Sequence, residues 1–349
     1  MISNLSLSEN IQGESVREKE SNLSSTQIVV ILMYVLVMVF ICTGNVFTLL
    51  AVCVRRSLRT PTNMYIASLA VADFLTGLTI PYYTSNLHPA FERILHRNKY
   101  VCLLRYTLMA TFLCCSLLSM NAISYDRYKF IHYPLRCTRW CEVRVIIAGT
   151  WILSVIFGTI PLYYNTWDAT TGCNTQKILP TTFNVYMTCS LFFLCSLISA
   201  GFYGSIIASA IPHQRKNSLL MVSRFGKRSW YRRDEMKSVK MMLLVFGVFF
   251  VCWLPALLIV IIELHTQVNI KVKNAFLIIL FLNSGMNFII YAWKNDQFRK
   301  TFSSFMGLRR PSVEMSTASG ITAVYASKDD YNVYSRLQLP SGHRRFKSF

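Results

Sequence analysis

The sequence predicts an all-α membrane protein, a seven-transmembrane helix bundle with a short amphipathic helix after the seventh span. Three observations support this fold class. The 349-residue chain is 53% hydrophobic and only 15% charged, whereas a soluble domain of this length carries more charge on its surface. Its apolar residues are collected into seven long runs. Most of its Lys and Arg residues lie between alternate runs.

Each run is long enough to cross the hydrocarbon of a membrane, which takes roughly 20 residues of helix. The runs are residues 28–54, 60–91, 106–125, 145–167, 178–211, 241–262 and 274–293. Only the second run contains a charged residue, Asp73. Because a single segment can satisfy its backbone polar groups in lipid only as a helix, all seven are predicted to be helical.

The two ends of the chain differ from this central domain, residues 27–305. Residues 1–26 are a polar arm with glycosylation triplets at Asn4 and Asn22, which fits an extracellular arm. Residues 306–349 are rich in Ser, Thr and Tyr and are predicted to be a disordered tail. Before this tail, "KNDQFRKTFSSFMGL" predicts a short amphipathic helix on the inner membrane face.

Basic residues are concentrated in four segments. These segments are 55–61, 127–144, 212–240 and 294–349, and they hold 27 of the 36 Lys and Arg residues. Basic loops of membrane proteins stay in the cytoplasm, so the N-terminus is predicted outside the cell membrane and the C-terminus in the cytoplasm. The net charge of +20 is then mainly a signal of topology. It favours contact with anionic membrane lipid rather than nucleic acid.

In this topology, Cys102 and Cys173 are the only cysteines on the oxidising side of the membrane outside the apolar runs. Two isolated cysteines in an oxidising compartment predict a disulfide bond. The remaining cysteines lie inside the runs or on the cytoplasmic side.

Asp73 lies within an apolar run, and an intramembrane charge is costly enough to indicate a role. Polar partners are predicted at the same depth on three other runs: Asn45, Ser116, Asn283, Ser284 and Asn287. One interpretation is a hydrogen-bonded structural acid. A second is a site for a small hard cation such as sodium, and a third is a proton acceptor, because burial disfavours the charged carboxylate.

The third run ends in Asp126, Arg127 and Tyr128. Arg127 has two candidate partners, Asp126 beside it and Glu235 at the inner start of the sixth helix. A bond between Arg127 and Glu235 would join two helix ends and could be broken by motion, as a switch requires. The alternative is that these charged side chains simply reach water at the membrane interface.

Motifs in every run, in the same order, give the chain its resemblance to a known family. The motifs are "GNVFTLLAV", "NMYIASLAVAD", "DRY", Trp151 followed by Pro161, Tyr203, "FFVCWLP", "NSGMNFIIY" and "FRKTF". With these motifs in register with seven spans, the chain resembles the rhodopsin-like G-protein-coupled receptors over nearly all of residues 27–305. Such a protein is a receptor and not an enzyme.

The resemblance implies roles for particular residues. The disulfide would join Cys102 and Cys173. The sodium pocket, with Asp73 as the metal ligand, would comprise Asp73, Ser116, Asn283, Ser284 and Asn287. The activation switch would comprise Asp126, Arg127, Tyr128, Tyr203, Glu235, Phe249, Trp253, Pro255 and Tyr291. Sodium would be an allosteric ion, and no other cofactor is implied.

The resemblance also implies partners on the cytoplasmic side. A heterotrimeric G protein would enter a cleft between helices 3 and 6, with Pro134 and Leu135 in the second inner loop as its docking residues. Receptor kinases and arrestin would act on the tail, where the candidate phosphorylation sites are Ser312, Ser316, Thr317 and Ser319.

Two residues depart from the family pattern. Phe288 stands where the family has a proline in the seventh helix, which predicts a weaker kink there. Cys195 stands where most members have a proline in the fifth helix, so the usual bulge is in doubt.

The ligand pocket is predicted in the outer half of the bundle. Its candidate residues are Arg105, Met109, Met187, Leu257, Val260 and Leu277. Amine receptors have an acid where Met109 stands, and opsins have a lysine where Phe281 stands, so a monoamine and retinal are disfavoured. Arg105 has a basic counterpart in lysophospholipid and cannabinoid receptors, which favours an anionic or lipid-like ligand.

Several alternatives remain open. One alternative is that Arg105 faces the outer loop or the lipid headgroups, and another is a peptide ligand that contacts Glu263, Trp167 and the outer loops. A channel or transporter would require further charges within the spans or discontinuous helices. A membrane enzyme would require clustered His, Asp or Glu within the spans, and the sequence contains neither pattern.

Overall fold

The computed structural model describes residues 23–133, 139–168, 173, 178–219, 226–305 and 307. Within these ranges, the side chains of residues 90, 96, 181–184, 210–219 and 226–239 are not described. All regular structure in the described part of the chain is helical.

Ten α-helices are formed by the described residues, together with 3₁₀ turns at Arg56–Leu58 and Ser85–Leu87. The helices are α1 (Ser25–Val54), α2 (Pro61–Tyr83), α3 (Pro89–Arg97), α4 (Lys99–His132), α5 (Trp140–Gly158), α6 (Ile160–Tyr163), α7 (Thr181–Leu219), α8 (Gly226–Ile262), α9 (Ile270–Lys294) and α10 (Asp296–Phe305).

Seven helical segments in the described part of the chain are long and apolar enough to cross a membrane, which confirms the predicted fold class. The segments are Ser25–Val54, Pro61–Leu87, Lys99–His132, Trp140–Tyr163, Val185–Ser209, Lys240–Ile262 and Ile270–Lys294. The short helix predicted after the seventh span is α10, and it buries Phe298 and Phe302 while Phe305 stays exposed.

Side-chain caps fix where several of these helices begin. The Ser24 hydroxyl accepts the Gln27 N–H while the Gln27 side chain accepts the Ser24 N–H, so the two residues form a capping box at α1. The Asn98 side chain accepts the N–H groups of Tyr100 and Val101 at the start of α4. Each cap satisfies backbone donors that have no partner within the helix.

The third span, α4, lies at the centre of the bundle and packs against α2, α5 and α7. Its contact with α5 is close because Gly158 has no side chain. A Cβ atom at Gly158 would lie 1.9 Å from Thr111 Oγ1 and 2.7 Å from Thr111 Cα. Gly285 similarly leaves room for the Phe40 ring, 2.2 Å from where a Cβ would lie. Small residues let membrane helices approach closely in this way.

Both helices that lack a family proline are continuous at the departing residue. The helix α7 continues unbroken through Cys195, and α9 continues unbroken through Phe288. The Phe288 ring packs against Phe47 of α1 and Phe302 of α10, with ring centroids 6.0 and 4.9 Å away. The seventh span is therefore held at this point by aromatic contacts to two other helices.

The two ends of the bundle are named here by their landmarks. The disulfide end carries the Cys102–Cys173 bond, which is present as predicted. The Arg127 end carries Asp126, Arg127 and Tyr128 at the end of α4, together with α10.

Candidate functional site

Arg105 is the largest of the fully buried side chains in the described part of the chain, with 1% of its surface exposed. Its Nη2 donates to the Tyr106 hydroxyl at 2.5 Å, while Nε and Nη1 are buried without a hydrogen-bond partner. No carboxylate in the described part of the chain pairs with it. Because the side chain is enclosed by protein, the interpretation that Arg105 faces the lipid headgroups is wrong, whereas the interpretation that it faces the outer loop stays a prediction.

Aromatic rings surround this guanidinium. Its Cζ lies 4.7 Å from the Tyr106 ring centroid and 5.8 Å from the Tyr83 ring centroid, so both rings contribute cation–π attraction. The Tyr83 ring also meets Tyr106 and Phe281 edge to face, at 6.1 and 6.0 Å. The rings hold the cation in place but carry no formal negative charge.

A cavity of about 90 Å³ lies between α7, α8 and α9. Its lining residues are Thr188, Trp253, Ala256, Leu257, Ile259, Val260, Lys273, Phe276, Leu277 and Leu280. All but Thr188, Lys273 and the indole N–H of Trp253 are apolar. The Trp253 Nε1 is buried and has no hydrogen-bond partner within the described residues. The cavity therefore suits an apolar group.

The cation that lines this cavity, Lys273, is already paired. Its Nζ lies 2.7 Å from Glu263 Oε1, which joins the ends of α8 and α9 near the disulfide end. Leu277 connects the cavity to the Arg105 region, because it packs on the apolar cluster that also contacts Tyr83. Tyr83 lies within electrostatic range of both Arg105 and Glu263.

The six predicted pocket residues are divided between these regions. Leu257, Val260 and Leu277 line the cavity. Arg105 lies in its own aromatic surroundings, and Met109 is buried in the cluster that contains Phe281. Met187 is half-buried and does not line the cavity, whereas its neighbour Thr188 does.

Below the cavity, Trp253 packs within an aromatic group formed by α7 and α8. Its ring centroid is 5.5 Å from that of Phe249 and 5.7 Å from that of Phe192. Pro255 lies inside α8 two residues later. The sequence motif predicted Trp253, Phe249 and Pro255, but it contained no signal for Phe192.

Asp73 is fully buried and its two oxygens have different partners. Oδ1 accepts the Ser116 hydroxyl at 2.8 Å, and Oδ2 accepts the Asn287 amide at 2.8 Å. The Ser284 carbonyl accepts the Asn45 amide at 3.0 Å beside this group. Oxygen-rich, buried surroundings of this kind fit a small hard cation.

Asn283 is also buried, but the described part of the chain shows no hydrogen bond from it to Asp73. Of the predicted polar set, Ser116, Asn287 and the Ser284 side chain interact directly with the Asp73 carboxylate.

At the Arg127 end, Arg127 lies 3.5 Å from Asp126, whose Oδ2 also accepts the Thr62 hydroxyl at 2.9 Å. Tyr203 and Tyr291 are buried nearby. The Tyr291 ring packs 5.6 Å from that of Phe298, which links α9 to α10. Of the two partners predicted for Arg127, Asp126 is thus in place.

Sequence reasoning missed a set of polar contacts between α4 and α7. Ser199 donates to Asn121 Oδ1 at 2.9 Å and lies 3.2 Å from Ser124 Oγ. Closer to the Arg127 end, His132 Nε2 lies 2.9 Å from Ser209 Oγ and 3.2 Å from Ser205 Oγ. Serines spaced four residues apart on α7 were the only available signal.

Some predicted residues lie outside the described part of the chain. They are Asn4, Asn22, Pro134, Leu135, the side chain of Glu235, and the tail residues Ser312, Ser316, Thr317 and Ser319.

Seven apolar spans, a disulfide at one end and an acid–arginine pair at the other define a seven-helix membrane receptor. A model of the family "7 transmembrane receptor (rhodopsin family)" matches residues 44–291. The chain therefore belongs to the rhodopsin family of seven-transmembrane receptors, also called class A G-protein-coupled receptors, and the family consists of receptors rather than enzymes.

Individual relatives differ in the ligand that their names state. The chain is 28% identical over 290 residues to the adenosine receptor A2b of Bos taurus, covering 74% of this chain and 84% of that one. It is 28% identical over 304 residues to the somatostatin receptor type 5 of Rattus norvegicus, covering 83% and 81%. It is 27% identical over 281 residues to the lysophosphatidic acid receptor 1-A of Xenopus laevis, covering 78% and 74%. Family membership implies G-protein coupling and an extracellular ligand, and it leaves the type of ligand unresolved.

Proposed function

We propose that this receptor responds to an anionic amphiphile, whose acidic group binds Arg105 and whose apolar part enters the cavity between α7, α8 and α9. The observation that carries the proposal is the burial of the Arg105 guanidinium without a carboxylate in the described part of the chain.

Burial of an unpaired charge is unfavourable, because the charge loses its hydration and gains no opposite charge in return. A carboxylate or phosphate on the ligand would supply that charge. The guanidinium fork of arginine matches these groups with two parallel hydrogen bonds. Arg105 has two buried nitrogens without partners, Nε and Nη1, and either one can donate to such a group together with the second hydrogen of Nη2.

The cavity supports the apolar part of this ligand. Its walls are mostly Leu, Val, Ile, Ala and Phe side chains, and Leu277 brings it next to the cluster around Tyr83 and Phe281. Ligand sites in proteins are typically apolar with a few polar groups that fix orientation. One of the named relatives, the lysophosphatidic acid receptor 1-A, is named for an anionic amphiphile.

The competing idea, a peptide that binds Glu263 and Trp167, has less support. Glu263 is paired with Lys273 at 2.7 Å, so it is not available to a basic group unless that pair breaks. Trp167 has its indole nitrogen buried rather than displayed to solvent. A small ligand that enters the bundle fits these contacts better.

On the remaining parts of the mechanism, we propose that the disulfide end faces outside and the Arg127 end faces the cytoplasm. The concentration of Lys and Arg in the four basic segments supports this orientation. Ligand binding would separate the inner ends of the third and sixth spans and open a cleft for the G protein. Pro134 and Leu135 would contact the G protein, and the tail would bind receptor kinases and arrestin.

The receptor is tested in cells that report each G-protein class, with a panel of anionic amphiphiles and their neutral analogues. Activation by an acid but not by its methyl ester supports the proposal. Activation by peptides alone, or equal activation by acid and ester, would contradict it. The Arg127→Ala variant serves as the control that binds ligand without signalling.

A further inference from the structure

The helix α3, between the second and third spans, has an apolar face that the protein covers only in part. At 100° per residue, Phe91, Ile94 and Leu95 share one side of this helix, Arg93 lies on the opposite side, and Arg97 lies at the border next to Ile94. Leu95 is buried against Cys102 and Tyr106. Phe91 and Ile94 are 55% and 54% exposed.

The adjoining start of α4 also carries exposed apolar and aromatic residues. Tyr100 is 75% exposed and Leu104 is 44% exposed, and their spacing of four residues puts them on one side of α4. Because α4 is a membrane span, an exposed apolar residue on its flank faces lipid. Phe91, Ile94, Tyr100 and Leu104 are here called the α3 patch.

We infer that the α3 patch binds the phospholipid leaflet next to the disulfide end, with α3 lying in the headgroup region. Two further observations favour lipid over a protein partner. Arg97 and Lys99 lie beside the patch, and such residues bind headgroup phosphates while their neighbours enter the acyl region. Tyrosine at the end of a span, as at Tyr100, is typical of the membrane interface.

The inference is tested by photocrosslinking in the full-length receptor, reconstituted in phosphatidylcholine nanodiscs. The photoreactive residue p-benzoylphenylalanine replaces Phe91, Ile94 or, as the matched control on the opposite face of the same helix, Arg93. Each variant is first shown to retain the melting temperature of the unmodified receptor, so that a failure to fold is recognised.

After irradiation, the intact mass of each variant is measured. The expected result is a phosphatidylcholine adduct at positions 91 and 94, with a several-fold higher yield than at position 93. Equal yields at all three positions, or no lipid adduct at 91 and 94, would overturn the inference. The irradiation is repeated in native membranes to test for a protein partner. A crosslink from position 91 or 94 to a protein in place of lipid would also overturn the inference.

Discussion

Arg105 and Arg127 lie on the same helix, α4, separated by 22 residues, or roughly 33 Å of helix. Arg127 lies 3.5 Å from the carboxylate of Asp126, whereas Arg105 contacts only the hydroxyl and ring faces of tyrosines within the described chain. A charge that is paired internally is held in one state until something breaks the pair. A buried charge that has no opposite charge within the protein is stabilised when a ligand supplies one. Under the proposed function, the two ends of α4 would serve different tasks: Arg127 would be released from its partner on activation, and Arg105 would bind the acidic group of the ligand.

The largest effect is expected from removing the unpaired charge. Arg105→Ala should weaken binding of an activating anionic amphiphile about 100-fold, because truncating one partner of a buried charge pair costs roughly 2–5 kcal/mol. Arg105→Lys should lose less, since it keeps the charge and lacks only the fork. Competition binding on purified receptor measures both.

The matched control for this experiment is Lys271→Ala, which removes an exposed cation from the start of α9. Its affinity should equal that of the unmodified receptor. If Arg105→Ala bound the anionic amphiphile with unchanged affinity, Arg105 would not bind the ligand's charge, and the proposed difference between Arg105 and Arg127 would be wrong.

The next effect concerns the paired arginine. Asp126→Asn removes the carboxylate beside Arg127 and should raise ligand-free nucleotide exchange on the G protein about tenfold, because a hydrogen bond to a charged group contributes about 1.5 kcal/mol. The control is Glu142→Gln, which breaks the other ion pair of this helix end, Lys129 to Glu142 at 2.5 Å. That variant should leave basal exchange nearly unchanged. A fall in exchange in Asp126→Asn would refute the role of the pair as a restraint.

A smaller effect is expected at Asp73, the buried acid of the second span. If Asp73 holds sodium, agonist affinity should be about fivefold lower in sodium chloride than in choline chloride, at the low end of ordinary allosteric coupling. Asp73→Asn should remove the difference. Sodium sensitivity that persists in this variant would assign the ion to another site.

The smallest effect is expected at Phe288. Phe288→Leu keeps an apolar side chain but loses the ring contacts to Phe47 and Phe302, so the seventh span should be less restrained. Ligand-free nucleotide exchange should rise about threefold, because one aromatic pair contributes roughly 0.5–1.5 kcal/mol beyond burial. Phe305→Leu, at the exposed face of α10, is the control. Equal exchange in both variants would exclude Phe288 as a restraint.

Much of the architecture could be predicted from the sequence because lipid imposes strong rules. Long uncharged runs identified all seven spans, and the isolated Cys102 and Cys173 identified the disulfide. Asp73 was identified because a charge within an apolar run is conspicuous, and its partners Ser116 and Asn287 were predicted as polar residues at the same depth on other runs.

The remaining features depend on packing between helices, which local sequence does not encode. Nothing in "CLLRYTLMA" says that Arg105 turns inward between Tyr83 and Tyr106 rather than outward to the headgroups. The contact of His132 with Ser205 and Ser209 joins residues more than 70 positions apart. The sequence predicts no separate helix at residues 89–97, the first three of which fall in the second apolar run, because nine residues are too few to establish a helical period.

Gly158 sets a limit on how this molecule can vary. On the lipid-facing side of α5, residues such as Ile152 and Ile156 are exposed, and one apolar residue can replace another there at little cost. At Gly158 even a methyl group would overlap the backbone of Thr111. Related sequences are therefore expected to vary freely at the lipid-facing residues of the fourth span and to keep glycine at position 158.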